Sequence, residues 1–308
     1  MSKEKNFPHG VMFHHFHNDD HPKSQGSLSS SEFEKKIIYF QKFRNLLNAR
    51  EFESKLNHNT LEAEDICLTF DDVLLSQIDI AVPILEKFQV KAYFFIYSSP
   101  FFGEPNLLEI YRHFRSTKFD SVEIFYKEFF ATAKNHRTKK FETGLRVFEA
   151  EGYLHAWNFY STEDRFFRFL RDIIFESEEY AEIMQQLFNR FEYSPESNLK
   201  NLYMSESDLK ALHDYGHVIG LHSYSHPTRI DLLAQPIQEE EYRKNIEHLN
   251  RLKIDPVIAM SHPCGVYSSQ TLKILKSLKI RIGFRSGFDI TKIKSSLEVP
   301  RVDHTYYS

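Results

Sequence analysis

Leu68-Thr-Phe-Asp-Asp72 closes a short apolar run that begins at Ile66, and this stretch decides the fold and the chemistry expected of the chain. The run has the length of a buried strand, and two carboxylates, those of Asp71 and Asp72, stand at its end. About 150 positions later, His222-Ser-Tyr-Ser-His226 follows a second strand-like run. Two carboxylates and two imidazoles can provide three metal ligands and a spare base, the set that a mononuclear metal hydrolase requires.

Each of the two motifs also has a plainer interpretation. Asp71 and Asp72 could cap a helix that begins at Val73, and the two histidines could satisfy backbone groups in a loop. Against this, the i, i+4 spacing of His222 and His226 places both rings on one face if the chain turns helically after its strand. Adjacent carboxylates repel each other, and a nearby cation relieves the repulsion. Considered jointly, the two motifs predict a metal site.

Apolar runs and helical patterns alternate on both sides of these motifs. Strand, helix and strand between Ile66 and Ile96 predict a βαβ unit, which implies parallel pairing. Polar residues cluster after the carboxyl ends of the strands, the face that carries the site in α/β barrels. A capping-box pattern at Ser29 and Glu32 begins the first helix. The predicted strands are residues 10–16, 66–70, 90–96, 217–221, 257–260, 280–284 and 297–302, and the later helices are 80–88, 205–215, 238–252 and 268–278.

The pattern changes between about residue 100 and residue 204, where aromatic residues recur at helical spacing. A connection of about a hundred residues is too long for a bare loop in a folded domain. We therefore predict a single α/β domain over residues 1–308, with a large helical insertion that has its own core. Two roles are open for the insertion, a lid over the pocket or a homo-oligomer contact. It also holds the only tryptophan, Trp157.

Composition and charge argue against several functional classes. The 308 residues carry a formal net charge of -4, so no global basic field favours nucleic acid. No stretch approaches the roughly 18 apolar residues of a membrane span, and the polar start, Met1 to Asn6, lacks an export signal. The two cysteines, Cys67 and Cys264, do not indicate a disulfide framework. These features favour a cytoplasmic protein.

Three further clusters are candidates for the site. Pro263 and Gly265 lie in a turn that could aim a backbone N–H at an oxyanion, whereas a nucleophilic role for Cys264 is not expected, because a metal hydrolase needs no covalent intermediate. A polar cluster after the first strand could line the pocket or hold a second metal, but a solvent-facing loop is favoured; it contains His14, His15, His17, Asp19, Asp20 and His21. Three polar residues follow the last predicted strand, Arg301, Asp303 and His304. They could support the site or act as general acid, or they could simply form a polar tail.

At these residues the sequence resembles the polysaccharide deacetylase family, that is, the NodB-homology domain of carbohydrate esterase family four. Leu68-Thr-Phe-Asp-Asp72 matches the first motif of the family, and Gly216-His-Val-Ile-Gly-Leu-His-Ser-Tyr-Ser-His226 matches the second. Lys91-Ala-Tyr-Phe-Phe-Ile96 resembles the strand that follows the first motif, and Pro263-Cys-Gly265 is similar to the end of the third. The resemblance covers the α/β portion and not the insertion.

The resemblance implies a distorted (β/α) barrel of NodB-homology type and a metal-dependent hydrolase that removes an N-acetyl group from a carbohydrate. Asp71 would be the general base, and Asp72, His222 and His226 would hold zinc, or nickel or cobalt, which suit the same ligands. The backbone N–H of Cys264 would stabilise the oxyanion. A deformylase or another amidase on the same scaffold is an alternative, and so is a non-catalytic saccharide-binding protein.

The sequence departs from the pattern of the family at three places. The stretch Val257-Ile-Ala-Met-Ser-His262 lacks the arginine that the third motif usually carries before its proline, and no Asp-x-x-Asp-Trp motif is present. The histidine of the fifth motif has no clear counterpart, and His304 is the best candidate for the general acid, with His262 second. Because an export signal is lacking, we expect an N-acylated precursor, such as a sugar nucleotide used in surface-glycan assembly, to be the substrate.

Overall fold

The computed structural model describes residues 7–154, 160–198, 201–286 and 292–307. Trp157 and the polar start of the chain, residues 1–6, lie outside the described residues. The chain divides into two compact units. The first consists of residues 1–106 and 200–308 and carries both sequence motifs, and the second consists of residues 107–199.

Parallel strands of the first unit close into a barrel. In the described residues the strands are β1 His9–Phe13, β2 Asn45–Leu46, β3 Asp65–Asp71, β4 Tyr93–Ile96, β5 Val218–Leu221, β6 Ala259–Ser261, β7 Ile282–Arg285 and β8 Val299–Asp303. Neighbours pair in the order β1-β8-β7-β6-β5-β4-β3, and β3 returns to β1, so that seven strands form a closed ring. The two-residue β2 pairs with the start of β3. The prediction of a (β/α) barrel is confirmed.

Helices connect the strands, and α4 to α9 make up the second unit. The α-helices of the described residues are α1 Ser30–Phe43, α2 Ala49–Asn57, α3 Val82–Lys87, α4 Leu107–Thr117, α5 Val122–His136, α6 Thr138–Glu151, α7 Thr162–Phe169, α8 Ser177–Arg190, α9 Pro195–Asn198, α10 Glu206–Asp214, α11 Gln235–Arg251 and α12 Ser269–Ser277. A π-helical turn at Gln77–Ala81 leads into α3. Among the described residues, no helix combines the length and the apolar character that a bilayer crossing needs.

Side-chain caps explain where barrel helices begin. Ser29 and Glu32 form the predicted capping box at the start of α1, and Ser205 with Asp208 does the same for α10. Each box satisfies backbone N–H groups that the first turn of a helix leaves unpaired, and loss of such a cap typically costs about 1 kcal/mol.

One arginine crosses the mostly apolar interior of the barrel. Phe95 and Phe284 are fully buried in an apolar cluster, and Phe52 of α2 packs into the same cluster. Arg301, on β8, has its Cζ atom 5.8 Å from the centroid of the Phe95 ring. Gly10, on β1, makes room for this side chain, because a Cβ atom at Gly10 would lie 3.1 Å from Arg301 Cγ. The barrel therefore accommodates a long cationic side chain.

Aromatic side chains form the core of the second unit. Rings pack edge to face, as Phe114 does on Phe188, with their centroids 4.8 Å apart. Aromatic pairs of this kind contribute about 0.5–1.5 kcal/mol beyond the burial of their area. The aromatic stripes of the sequence thus lie on helices, and the fully or nearly fully buried members include Phe114, Phe125, Phe129, Phe167, Phe169 and Phe188.

Two buried histidines of the barrel make its stability sensitive to acid. The Nδ1 atom of His217 accepts a hydrogen bond from the N–H of Ala92, and burial lowers the pKa of His217 to about 4. Burial also lowers the pKa of His262 to about 4. In the unfolded chain a histidine takes up its proton near pH 6.5. Between about pH 6.5 and pH 4 the unfolded state therefore binds more protons, and the fold loses stability as the pH falls.

We expect the free energy of unfolding to fall between about pH 7 and pH 4 by on the order of 2–3 kcal/mol for each of these histidines. Urea unfolding at a series of pH values measures the fall. His217→Asn is the matched variant, because an amide oxygen near the position of Nδ1 can accept from Ala92 without titrating. Its unfolding free energy should fall less than that of the wild type, and an equal fall would contradict the role of His217.

Candidate active site

The two carboxylates of the first motif lie at the carboxyl end of β3. Asp71 is the last residue of the strand, and Asp72 and Val73 follow in left-handed backbone conformations, with φ angles of 76° and 58°. Such conformations cost non-glycine residues on the order of 1–3 kcal/mol and cluster at functional sites. The carbonyl of Val73 accepts a hydrogen bond from the N–H of Met204, so a neighbouring segment holds the turn. The strained turn places adjacent carboxylates at one rim of the barrel.

Asp72, His222 and His226 are the one group in the described parts of the chain with the geometry to hold a metal ion. Their ligand atoms all lie within 4.8 Å of one another. Asp72 Oδ1 is 3.7 Å from His222 Nε2 and 3.6 Å from His226 Nε2. Bonds of about 2.0–2.2 Å to a tetrahedral divalent ion would separate the ligand atoms by about 3.4 Å. The three side chains therefore fit the ion that their residue types suggest.

A loop holds the two histidines, not the helical turn that their spacing suggests. Residues 222–226 are not helical, and Ser223 and His226 adopt left-handed conformations, with φ angles of 65° and 57°. Ser223 Oγ accepts a hydrogen bond from the N–H of His226. The helical interpretation was wrong because these two residues redirect the backbone, and the loop brings the rings of His222 and His226 to 4.7 Å between centroids.

The neighbouring strand β6 orients His222. Its Nδ1 atom donates a hydrogen bond of 2.8 Å to the carbonyl of Ser261, the last residue of β6. Because Nδ1 carries the hydrogen, the lone pair lies on Nε2, which faces Asp72. Burial lowers the pKa of His222 to about 3, which keeps the ring neutral. A neutral, oriented imidazole is what a metal ligand requires.

Asp71 is held by a buried arginine. Its Oδ1 atom accepts a hydrogen bond of 2.7 Å from Arg301 Nη1, and neither side chain is more than 2% exposed. Its Oδ2 atom accepts from Ser261 Oγ and lies 3.6 Å from His222 Nε2. Burial alone would raise the pKa of Asp71, but the charge of Arg301 and its hydrogen bond hold the pKa well below its usual range. Arg301 is thus the basic residue that pairs with Asp71 in this chain.

His14 is a third imidazole beside the carboxylate pair. Its Nε2 atom lies 3.8 Å from Asp71 Oδ2 and 3.9 Å from Asp72 Oδ2, and its side chain is 28% exposed. Burial lowers the pKa of His14 to about 4, against the opposing effect of Asp71. The residue directly follows β1, which pairs with β3, so the ends of two adjacent strands bring it to the site. The expectation that the N-terminal histidine cluster lies in a solvent-facing loop is therefore wrong for His14.

Other members of that cluster have separate partners. His17 Nδ1 is hydrogen-bonded to Ser27 Oγ at 2.9 Å, and His21 Nε2 is 2.7 Å from Asp79 Oδ2. Neither belongs to a metal-ligand group in the described residues. The second metal site left open for this cluster is therefore not supported.

His304 and His262, the two candidates for the general acid, lie in different surroundings. The ring of His304 stacks on Phe13 with the centroids 5.2 Å apart, and its Nε2 donates to the carbonyl of Gly26. His262 is fully buried, and its Nε2 donates to the carbonyl of Leu297. In each case the imidazole N–H is used in a hydrogen bond to a backbone carbonyl. Neither ring contacts the carboxylate pair as His14 does.

Cys264 lies in the turn Pro263–Gly265 that follows β6. Its backbone is left-handed, with a φ angle of 52°, and its side chain is exposed. Ser261, three positions earlier, contacts both His222 and Asp71. The turn therefore starts at the rim of the site, and the role of the Cys264 N–H as an oxyanion donor stays a prediction.

Comparison with known protein families returns one match. The family described as polysaccharide deacetylase matches residues 182–283. The matched part includes His222, His226 and Cys264, whereas Asp71 and Asp72 lie before it. No curated protein matches the chain by sequence.

Several solved structures of deacetylases are similar over nearly the whole chain. IcaB from Ammonifex degensii is 14% identical, with a TM-score of 0.59, and the alignment covers 97% of this chain and 91% of that one. The Streptococcus pyogenes deacetylase PplD, in complex with acetate, is 15% identical, with a TM-score of 0.56 and coverage of 96% and 91%. The deacetylase domain of BpsB from Bordetella bronchiseptica is 10% identical, with a TM-score of 0.51 and coverage of 97% and 96%.

These comparisons confirm the resemblance to the polysaccharide deacetylase family and the NodB-type barrel. At 10–15% identity, the solved structures establish the fold alone. The activity of this chain is therefore inferred from the geometry of its own residues.

Proposed function

We propose that the protein is a metal-dependent hydrolase that removes the N-acetyl group from a saccharide. The observation that carries the proposal is the cluster at the carboxyl end of β3, where the ionised carboxylate of Asp71 lies 3.6 Å from His222 of the metal-ligand group and 3.8 Å from the imidazole of His14. Hydrolysis of an unactivated amide needs an electrophile, a base and an acid, and this cluster can supply all three. The family match and the fold support the same chemistry.

Asp72, His222 and His226 would hold the ion, which we propose to be zinc, with nickel or cobalt as alternatives for the same ligands. When bound, the ion polarises the amide carbonyl and lowers the pKa of water. The carbonyl of Ser261 keeps the Nε2 atom of His222 turned toward the ion.

Asp71 would take a proton from the attacking water. Arg301 binds its Oδ1 atom, so Oδ2 is the oxygen that faces His222 and the proposed ion. The same arginine keeps the carboxylate ionised before the reaction.

We propose that His14 gives a proton to the leaving nitrogen. Burial lowers the pKa of His14 to about 4, so the ring is neutral before the reaction and would first take up the proton that Asp71 removes from water. When the C–N bond breaks, the electron pair stays on nitrogen, which must take up a proton to depart as an amine. The Nε2 atom of His14 lies within 4 Å of both Asp71 and Asp72, on the edge of the ligand group. The products are acetate and the free amino sugar. We propose that the backbone N–H of Cys264 assists by donating to the oxyanion.

The structure also bears on the non-catalytic alternative. That alternative rests on the missing arginine of the third motif and on the missing acid. We propose that Arg301, which binds Asp71, and His14, which lies beside it, fill these two roles. An N-acylated saccharide precursor, such as a sugar nucleotide, remains our proposed substrate. A deformylase would use the same ligands, base and acid, so it is the alternative that the acyl group released in the assay must separate from a deacetylase.

Acyl release from a substrate panel tests the proposal. The protein would be stripped with a chelator, reconstituted with zinc, nickel or cobalt, and offered N-acetyl and N-formyl forms of a monosaccharide, a sugar nucleotide and an oligosaccharide. We expect acetate from at least one N-acetyl substrate, and only with metal present. Formate without acetate would indicate a deformylase, and activity on the oligosaccharide alone would exclude the precursor. No acyl release from metal-loaded protein would overturn the proposed hydrolase.

A further inference from the structure

One face of helix α11 is turned toward the loop that carries the two histidine ligands. Glu241, Asn245 and His248 recur at i, i+4 and i+7, which places them on the same side of the helix. The neighbouring Glu239 and Glu240 instead form ion pairs along the helix with Arg243 and Lys244; the Lys244–Glu240 pair is at least half exposed on both sides. The acidic residues of α11 are therefore divided between solvent and the loop.

Glu241 accepts three hydrogen bonds from the middle of the loop. Its Oε2 atom accepts from the backbone N–H groups of Tyr224 and Ser225, at 3.0 Å and 2.8 Å. Its Oε1 atom accepts from Ser225 Oγ at 2.8 Å. Tyr224 and Ser225 are the residues between the left-handed Ser223 and His226. A single carboxylate thus binds the part of the loop that links the two strained positions.

Asn245 and Ser98 hold the start of the same loop. Asn245 Oδ1 accepts a hydrogen bond from the N–H of His222 at 3.1 Å, and its Nδ2 donates to Ser98 Oγ at 2.7 Å. The N–H groups of Ser98 and Ser99 both donate to the carbonyl of Tyr224 at 2.9 Å. The peptide groups on either side of Tyr224 are therefore fixed from two directions.

We propose that Glu241 is a positioning residue of the metal centre. By binding the Tyr224 and Ser225 peptides, it holds His222 and His226 in the backbone arrangement that points both Nε2 atoms at one ion. This proposal depends on one part of the proposed function, the binding of a divalent ion by His222 and His226. It does not depend on the identity of the substrate or of the acyl group. Partners outside the ligands themselves commonly govern metal affinity.

Metal affinity in three variants tests the proposal without substrate. Glu241→Ala removes the acceptor, and we expect it to weaken cobalt and zinc binding by about 10–100-fold, measured by titration against a chromophoric chelator. Glu241→Gln can accept from the two N–H groups through its oxygen and donate to Ser225 Oγ, so it should recover most of the affinity. Glu240→Ala is the matched control, because it removes a solvent-facing carboxylate one position away and should bind cobalt as the wild type does.

Hydrogen exchange of the metal-free protein separates the effect on the loop from the effect on the ion. We expect the amide hydrogens of Tyr224 and Ser225 to exchange at least about tenfold faster in Glu241→Ala, while the strands of the barrel stay protected. Cobalt affinity within threefold of the wild type in Glu241→Ala, or an equal loss in Glu240→Ala, would overturn the proposal and leave the proposed hydrolase standing. A wild type that binds neither ion would overturn the proposed metal centre together with this role of Glu241.

Discussion

An Asp71→Asn variant is expected to lose at least about a thousandfold in kcat for acetate release while it retains its metal ion. The amide of asparagine has the size of the carboxylate and can still accept a hydrogen bond from Arg301 through its oxygen. It cannot take a proton from water at any accessible pH. Asp72, His222 and His226 are unchanged, so the metal content measured by mass spectrometry should match that of the wild type.

The buried ion pair requires a control for stability. Without the charge of Asp71, Arg301 loses the carboxylate with which it pairs, and a buried cation left uncompensated in this way can cost about 3–5 kcal/mol of folding free energy. The double variant Asp71→Asn with Arg301→Met removes both charges and should unfold at a higher urea concentration than the single variant. It should be equally inactive, because the base is still missing. More than a tenth of the wild-type kcat in either metal-loaded variant would show that Asp71 is not the base.

The fold was predictable because hydrophobic periodicity in this chain agrees with its topology. Apolar runs that end in polar clusters predict buried parallel strands with a site at their carboxyl ends, and β3 and β5 have this form. The short β2 and helix α2 were not predicted. Two residues are too few for a periodic signal, and four of the nine residues of α2 are charged, which hides its buried face of Phe52 and Leu56.

The candidate site was predictable where its residues lie in short motifs with recognisable spacing. His14 and Arg301 stand 57 and 230 positions from Asp71, and ring closure makes their strands neighbours. Two features of the sequence could have pointed to these residues. His14 lies directly after β1, and Arg301 lies on the side of β8 that faces the barrel interior. Without the strand order, neither could be joined to Asp71. The left-handed backbones of Ser223 and His226 have no glycine to indicate them, so a helical turn was the natural error.

A His14→Gln variant is expected to lower kcat for an N-acetyl sugar by about 10²–10⁴-fold, with less change in KM. The amide nitrogen of glutamine can occupy the region of Nε2 and donate a hydrogen bond, but it cannot release a proton. If His14 is the general acid, the loss arises at departure of the amine. His304→Gln is the matched control, because its amide can still donate to the carbonyl of Gly26, and its kcat should stay within about threefold of the wild type.

The choice of leaving group distinguishes an acid from a base at this site. An aryl acetate releases a phenolate, which departs without protonation, so the deficit of His14→Gln should largely vanish with an aryl acetate as substrate. The deficit of Asp71→Asn should persist, because water must still lose its proton. Equal deficits of His14→Gln on the amide and on the ester would contradict the acid role, and loss of bound metal from this variant would instead make His14 a ligand. A large loss in His304→Gln would return the acid role to His304.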